Sequence, residues 1–164
     1  MIPEIKTGKE RRKVRVEMDW EQIEPGMPGL ILLSHGMASI GVLDSVQLIY
    51  SRQKNMAAVT LDTGDAPQEM YAQIEKLYQA FQGNCIFFVD FNGGTPCNQL
   101  RIFSMKNGIQ IFGALGFSVP MILSAVESRR SGADKAEIVR AAMLEGNEGI
   151  QELYPEMAEE DDES

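Results

Sequence analysis

Leu30-Ile31-Leu32-Leu33-Ser34-His35-Gly36 decides how this chain folds. Four consecutive apolar side chains run into a serine, the single histidine of the chain and a glycine. A short apolar run that stops at glycine fits a strand buried on both faces, with helices above and below the sheet. Over residues 39–52 the apolar side chains recur at helical spacing, so His35 falls where a buried strand hands over to a helix. A lone histidine is ordinarily just another polar side chain. Its place outside the carboxyl end of a strand, where open α/β sheets bind ligands, makes it a candidate functional residue.

The same rhythm continues along the chain. Strands are expected at 29–34, 56–61, 84–89 and 108–112. Helices are expected at 39–52, 67–82, 96–106, 119–130 and 134–145. The second helix carries Met70, Ile74, Leu77, Tyr78 and Phe81 as one apolar stripe, and Pro67 suits its first turn. Asp134 with Glu137 three residues on forms a capping-box pattern. Alternation of this kind predicts a doubly wound, mainly parallel α/β sheet with helices on both faces, in strand order 2-1-3-4. Upstream, Val14, Val16, Met18 and Trp20 alternate with polar residues as in a half-buried strand, free to join a sheet edge or an oligomer contact. Pro25-Gly26-Met27-Pro28 reads as a turn or linker. The expected organisation is an N-terminal extension over 1–28, one domain over 29–155 and an acidic tail over 156–164.

Composition narrows the function. The chain has 164 residues, 44% hydrophobic and 24% charged, in the range of a globular domain. Its net charge of −9 argues against nucleic-acid binding through a broad basic face. Residues 1–28 are neutral overall, with six basic and six acidic side chains, and the tail carries six acids. Two cysteines, Cys85 and Cys97, make no disulfide framework, and Cys97 reads as a helix-packing residue. Charged residues near the start occupy the place of a signal peptide's apolar stretch, and no apolar run approaches the ~20 residues of a membrane span. A cytoplasmic protein is therefore expected.

Three strands end in polar residues on one edge of such a sheet: His35, Asp62 and Asp90. In order 2-1-3-4 the first and third strands are neighbours, and their helices leave to opposite faces. The crevice between them has His35 on one lip and Asp90 on the other. Alone, Asp90 reads first as a cap or turn residue. As a partner of one imidazole nitrogen, it fixes the tautomer and leaves the other nitrogen's lone pair available. Gly93-Gly94-Thr95-Pro96 follows, allowing close backbone approach and opening a helix whose first amides suit an oxyanion. Histidine, carboxylate and anion-binding helix start together describe phosphoryl transfer through a histidine nucleophile. The chain has no Gly-x-x-x-x-Gly-Lys-Ser/Thr loop, no Gly-x-Gly-x-x-Gly after its first strand, and no second histidine or cysteine cluster for zinc. The reading therefore calls for no cofactor and no metal, and for a phosphoryl donor other than a bound nucleotide of these classes.

Ser34-His35-Gly36 together with Phe88-Val89-Asp90-Phe91-Asn92-Gly93-Gly94-Thr95-Pro96-Cys97-Asn98 resembles the mannose-family enzyme IIA component of the bacterial phosphoenolpyruvate-dependent sugar phosphotransferase system. Val119-Pro120-Met121-Ile122-Leu123 and Glu145 to Ile150 resemble later segments of that family. The resemblance implies that His35 accepts a phosphoryl group from the histidine phosphocarrier protein and passes it to a IIB component, whence it reaches sugar entering through a membrane permease. It implies that Asp90 bonds the other imidazole nitrogen, and that Gly93, Gly94 and Thr95 hold the phosphoryl oxygens. It further implies a homodimer whose last strand, here about 149–153, is exchanged between subunits, and sugar choice residing mostly in the IIB and membrane components. The chain departs from the pattern in its 28 leading residues, in Ser118 where asparagine is usual, and in its acidic tail.

Three other readings stay open at this level. One is a regulatory domain of the same fold, read by a partner according to its phosphorylation. Another is the related phosphocarrier of dihydroxyacetone kinase. The third is a metal-dependent hydrolase with His35, Asp62 and Asp90 as ligands within ~2–2.5 Å of one ion.

Overall fold

The computed structural model describes residues 14–154. The basic cluster over 6–13 and the acidic tail from 156 onward lie outside the described residues. Five strands form one sheet: β1 (Arg15–Met18), β2 (Gly29–His35), β3 (Met56–Leu61), β4 (Cys85–Val89) and β5 (Gly113–Leu115). Five helices accompany them: α1 (Ala38–Tyr50), α2 (Pro67–Ala80), α3 (Thr95–Asn107), α4 (Val119–Arg130) and α5 (Lys135–Glu148). Strand order is β1-β3-β2-β4-β5, so the four strands from β2 onward stand in the expected 2-1-3-4 arrangement. They are parallel, with Leu33 of β2 level with Val59 of β3 and Val89 of β4.

The apolar run at 30–33 is buried completely because its alternate side chains serve two cores. Leu30 and Leu32 pack with Ala58, Ile86 and Phe88 under α1, α4 and α5. Ile31 and Leu33 pack with Val59, Phe87 and Val89 under α2 and α3. Each fully buried Leu or Phe contributes roughly 1.5–3 kcal/mol relative to exposure, so β2 is the central strand energetically as well as spatially. Helix starts follow local chemistry. Asp134 and Glu137 make the reciprocal capping box that opens α5, at 2.9 and 2.8 Å. Ser118 caps α4 through its side chain, the role an asparagine serves at such a position. Burial pushes the Cys85 thiol up to about 12, as suits an inert packing residue.

Two expectations shift. The fourth predicted strand, at 108–112, stands instead at 113–115. Gly108 takes a left-handed conformation (φ 60°) and caps α3, with the Ile109 amide donating to Ser104 O, so residues 109–112 climb back to the sheet. Pairing starts where the Phe112 carbonyl accepts the Phe87 amide, and at Gly113 a Cβ would lie 2.2 Å from the Phe87 carbonyl oxygen. The alternating segment 14–20 gives a shorter strand, which pairs antiparallel with the edge of β3. Trp20 belongs to a 3-10 turn beyond it and is partly exposed, with Lys76 Nζ 4.6 Å from its ring.

The linker 24–28 is held at the amino ends of the strands. Asn55 donates to Glu24 O and Met27 O and accepts the Glu24 amide at 2.7–2.8 Å. Buried Arg129 donates to Pro28 O, Lys54 O and Asn55 O at 2.9–3.0 Å. After α5, residues 150–154 have no regular structure, and Ile150, Leu153 and Tyr154 are exposed. Among the described residues no helix is long and apolar enough to cross a membrane.

Candidate functional site

His35 is the last residue of β2, and Asp90 is the first residue beyond β4 on the adjacent strand. The Asp90 amide donates to Leu33 O, which carries the ladder far enough to hold the carboxylate beside His35. One carboxylate oxygen, Oδ2, then accepts both the His35 backbone amide and its ring Nδ1, each at 2.8 Å. Oδ1 accepts the Phe91 amide at 2.9 Å. An ionised carboxylate only accepts, so Nδ1 carries the proton of the neutral ring and Nε2 keeps its lone pair. The His35 side chain is 40% exposed and that of Asp90 15%, so the imidazole is reachable while its partner is largely enclosed.

The turn beyond β2 is braced from below. Gly36 has φ 55°, and its amide donates to Leu61 O. Met37, at the start of α1, supplies no cap; fully buried Ser34 does the work, its Oγ accepting the Ser39 amide and donating to Gly36 O. Ser39 Oγ donates to Val59 O on the far side, tying α1 to β3.

The loop 91–94 closes over the ring. Gly94 presses so near that a Cβ there would lie 2.4 Å from His35 Cε1 and 3.0 Å from Nε2. It is also the N-cap of α3, so the first amides of that helix have no capping side chain. Thr95 is the first helical residue and Pro96 follows, placing the helix start against the Nε2 side of the imidazole. Gly93 has φ 89°, and its carbonyl accepts Asn98 Nδ2. Arg101 donates to Asn92 Oδ1 at 2.8 Å. Cys97 is buried beneath the loop.

His35, Asp90, Gly93, Gly94 and Thr95 thus come together at one crevice. Asp62 builds the turn after β3, its Oδ1 accepting the Thr63 amide and its own amide donating to Asp65 Oδ2. Among the described residues no group of three or more His, Cys, Asp or Glu is placed to hold a metal ion. Sequence reasoning missed Phe91, whose ring stacks on His35 at 5.0 Å between centroids, and the Asn92–Arg101 pair. An exposed aromatic in a loop gives no periodic signal; the adjacency of Phe91 to Asp90 was the available hint.

A mainly parallel sheet with a histidine–carboxylate pair and an open helix start at its switch point suits a carrier of phosphoryl groups. Residues 29–143 match the family described as the PTS (phosphotransferase system) fructose IIA component, and the chain belongs to that family. It is 27% identical over 129 residues to the PTS system mannose-specific EIIAB component of Escherichia coli (strain K12), covering 76% of this chain and 39% of that protein. The chain thus spans about two fifths of that relative's length. It is 28% identical over 108 residues to the PTS system fructose-specific EIIA component of Bacillus subtilis (strain 168), covering 63% of this chain and 71% of that protein. Among solved structures, the mannose/sorbose specific IIA subunit from Enterococcus faecalis superposes with a TM-score of 0.68 at 25% identity, covering 79% of this chain and 98% of that one. The phosphotransferase system component EIIA from Streptococcus agalactiae shares the fold, with a TM-score of 0.71 at 24% identity over 77% of this chain and 97% of that one.

Proposed function

We propose that the chain is a cytoplasmic phosphocarrier subunit of a sugar phosphotransferase system, with residues 29–155 as the carrier domain and His35 as the phosphoryl acceptor. The donor is the phosphohistidine of the histidine phosphocarrier protein, and the recipient is a histidine on a IIB component that serves a membrane permease. The lone pair of His35 Nε2 attacks phosphorus, the donor's P–N bond breaks, and its electron pair returns to the donor imidazole. Positive charge develops on the His35 ring, and the Asp90 carboxylate stabilises it through the proton on Nδ1. The amides around Gly93 and Gly94 and the Thr95 hydroxyl face the phosphoryl oxygens in flight, where fixed donors act without reorganisation. Transfer to the IIB histidine is the same step reversed. The observation that supports this most is the double hydrogen bond from His35 to a single Asp90 oxygen, which sets both tautomer and ring direction.

Assembly as a homodimer belongs to the same reading. Along α3 and β5 runs a groove of about 480 Å³ lined by Leu100, Met105, Ile111 and Leu115, and the exposed segment 150–154 of a second copy supplies a strand for it. The test of function is intact mass and site mapping after incubation with phosphoenolpyruvate, enzyme I and the histidine phosphocarrier protein at neutral to alkaline pH. One added phosphoryl group, on His35 and absent from His35→Ala, is the expected result. A folded protein that gains no mass with active donors overturns it.

A further inference from the structure

Resting on that reading, we propose that Phe91 is a positioning residue for phosphoryl transfer: its ring holds the face of the His35 imidazole and stabilises the cationic phosphohistidine. Asp90 binds the ring at Nδ1 and Gly94 abuts the Cε1–Nε2 edge, so both hold its rim. Phe91 holds its face, stacking with centroids 5.0 Å apart and planes 27° from parallel. A Cβ on Gly94 would also lie 2.9 Å from Phe91 Cζ, so the Phe91 ring reaches the loop that faces Nε2. Phe91 is 52% exposed and lies in neither apolar core, so its packing service to the fold is small. The aromatic face also favours the cationic ring formed when Nε2 carries phosphorus and Nδ1 its proton. Hydrolysis of that species needs a water oxygen to attack phosphorus as the P–N bond breaks and the electron pair returns to Nε2. Stabilising the cationic ring in the ground state raises the barrier to that in-line attack.

Three variants decide the matter: Phe91→Ala, Phe91→Leu and Phe91→Tyr, each checked for folding by thermal melting. The first readout is the proton and nitrogen NMR of the His35 ring in unphosphorylated protein. The wild type and Phe91→Tyr show ring-current-shifted imidazole protons and sharp ring signals; Phe91→Ala and Phe91→Leu lose the shift, and their ring signals broaden as the imidazole gains motion, while Asp90 keeps the proton on Nδ1. The second is transfer itself, expected to slow about tenfold in Phe91→Ala because a misplaced nucleophile loses its near-attack geometry. The lifetime of isolated phosphohistidine shortens severalfold in the same variant, with recovery in Phe91→Tyr. A Phe91→Ala protein with wild-type ring signal widths, transfer rate and phosphohistidine lifetime overturns the proposal, as does full recovery by Phe91→Leu. If the wild type accepts no phosphoryl group, the phosphocarrier reading falls instead, and the NMR comparison still decides whether Phe91 sets the ring.

Discussion

Asp90 uses one oxygen for two donors of the same residue, the His35 amide and its ring nitrogen. That geometry couples the backbone at the end of β2 to the direction of the imidazole. Charge and geometry can be separated here. In Asp90→Asn an amide oxygen kept on His35 still accepts from the backbone and from Nδ1, while its NH2 replaces Oδ1 opposite the Phe91 amide and the negative charge that stabilises a cationic ring is gone. Phosphoryl acceptance is expected to fall about 10- to 100-fold, the usual cost of losing a partner that orients a reacting histidine. The thermal midpoint should move by only a few degrees. Rapid-quench phosphorylation kinetics beside a melting curve check both halves of the prediction; unaltered kinetics would remove Asp90 from the mechanism. Gly94 shows the same tightness from the other side, since any side chain there collides with the imidazole before it meets the rest of the loop.

At the scale of elements, the telling contacts are those made by Arg129 and Asn55. Arg129 on α4 reaches three carbonyls at the amino ends of β2 and β3, and burial lowers its pKa to about 10, still charged at neutral pH. Asn55, in a left-handed backbone conformation (φ 52°), binds both ends of the linker that brings β1 to the sheet. Replacing Arg129 with Met keeps bulk and leaves those carbonyls without their donor. A loss of about 3 kcal/mol is expected, from unsatisfied buried acceptors. Urea unfolding of Arg129→Met measures it, and His35 phosphorylation in the folded variant should be unchanged, because the clamp lies at the opposite end of the strands from His35. The same elements explain what was legible beforehand. The run 30–33, the stripe from Met70 to Leu77 and the Asp134–Glu137 box are local patterns, and each appears where the sequence puts it. Placement of β5 was not local: Gly108 serves as a helix cap, which moves the strand downstream. His35, Asp90 and the Gly93–Thr95 loop were legible because strand ends gather polar residues on one edge. Arg129 and Phe91 were not, one acting across 101 positions of chain and the other from an aperiodic loop.

At the scale of the whole molecule, the proposed dimer makes a quantitative demand. Ile150, Leu153 and Tyr154 are exposed in the single chain, at 83, 96 and 68%. Three such residues at the end of one short segment have a reason to be apolar if a second copy covers them. Truncation after Gly149 is therefore expected to halve the mass seen by light scattering while leaving the melting transition cooperative. A full-length chain that is monomeric at micromolar concentration would end the homodimer proposal.

Among the described residues β1 is one edge of the sheet. It pairs with β3 over four residues and turns the charged side chains of Arg15 and Glu17 to solvent, which makes it a poor template for another strand. Addition is thereby channelled to the β5 side. In the proposed dimer, donor segment and acceptor groove are both filled at two copies when they are exchanged about a two-fold axis, whereas the same contact without that closure runs on into a filament.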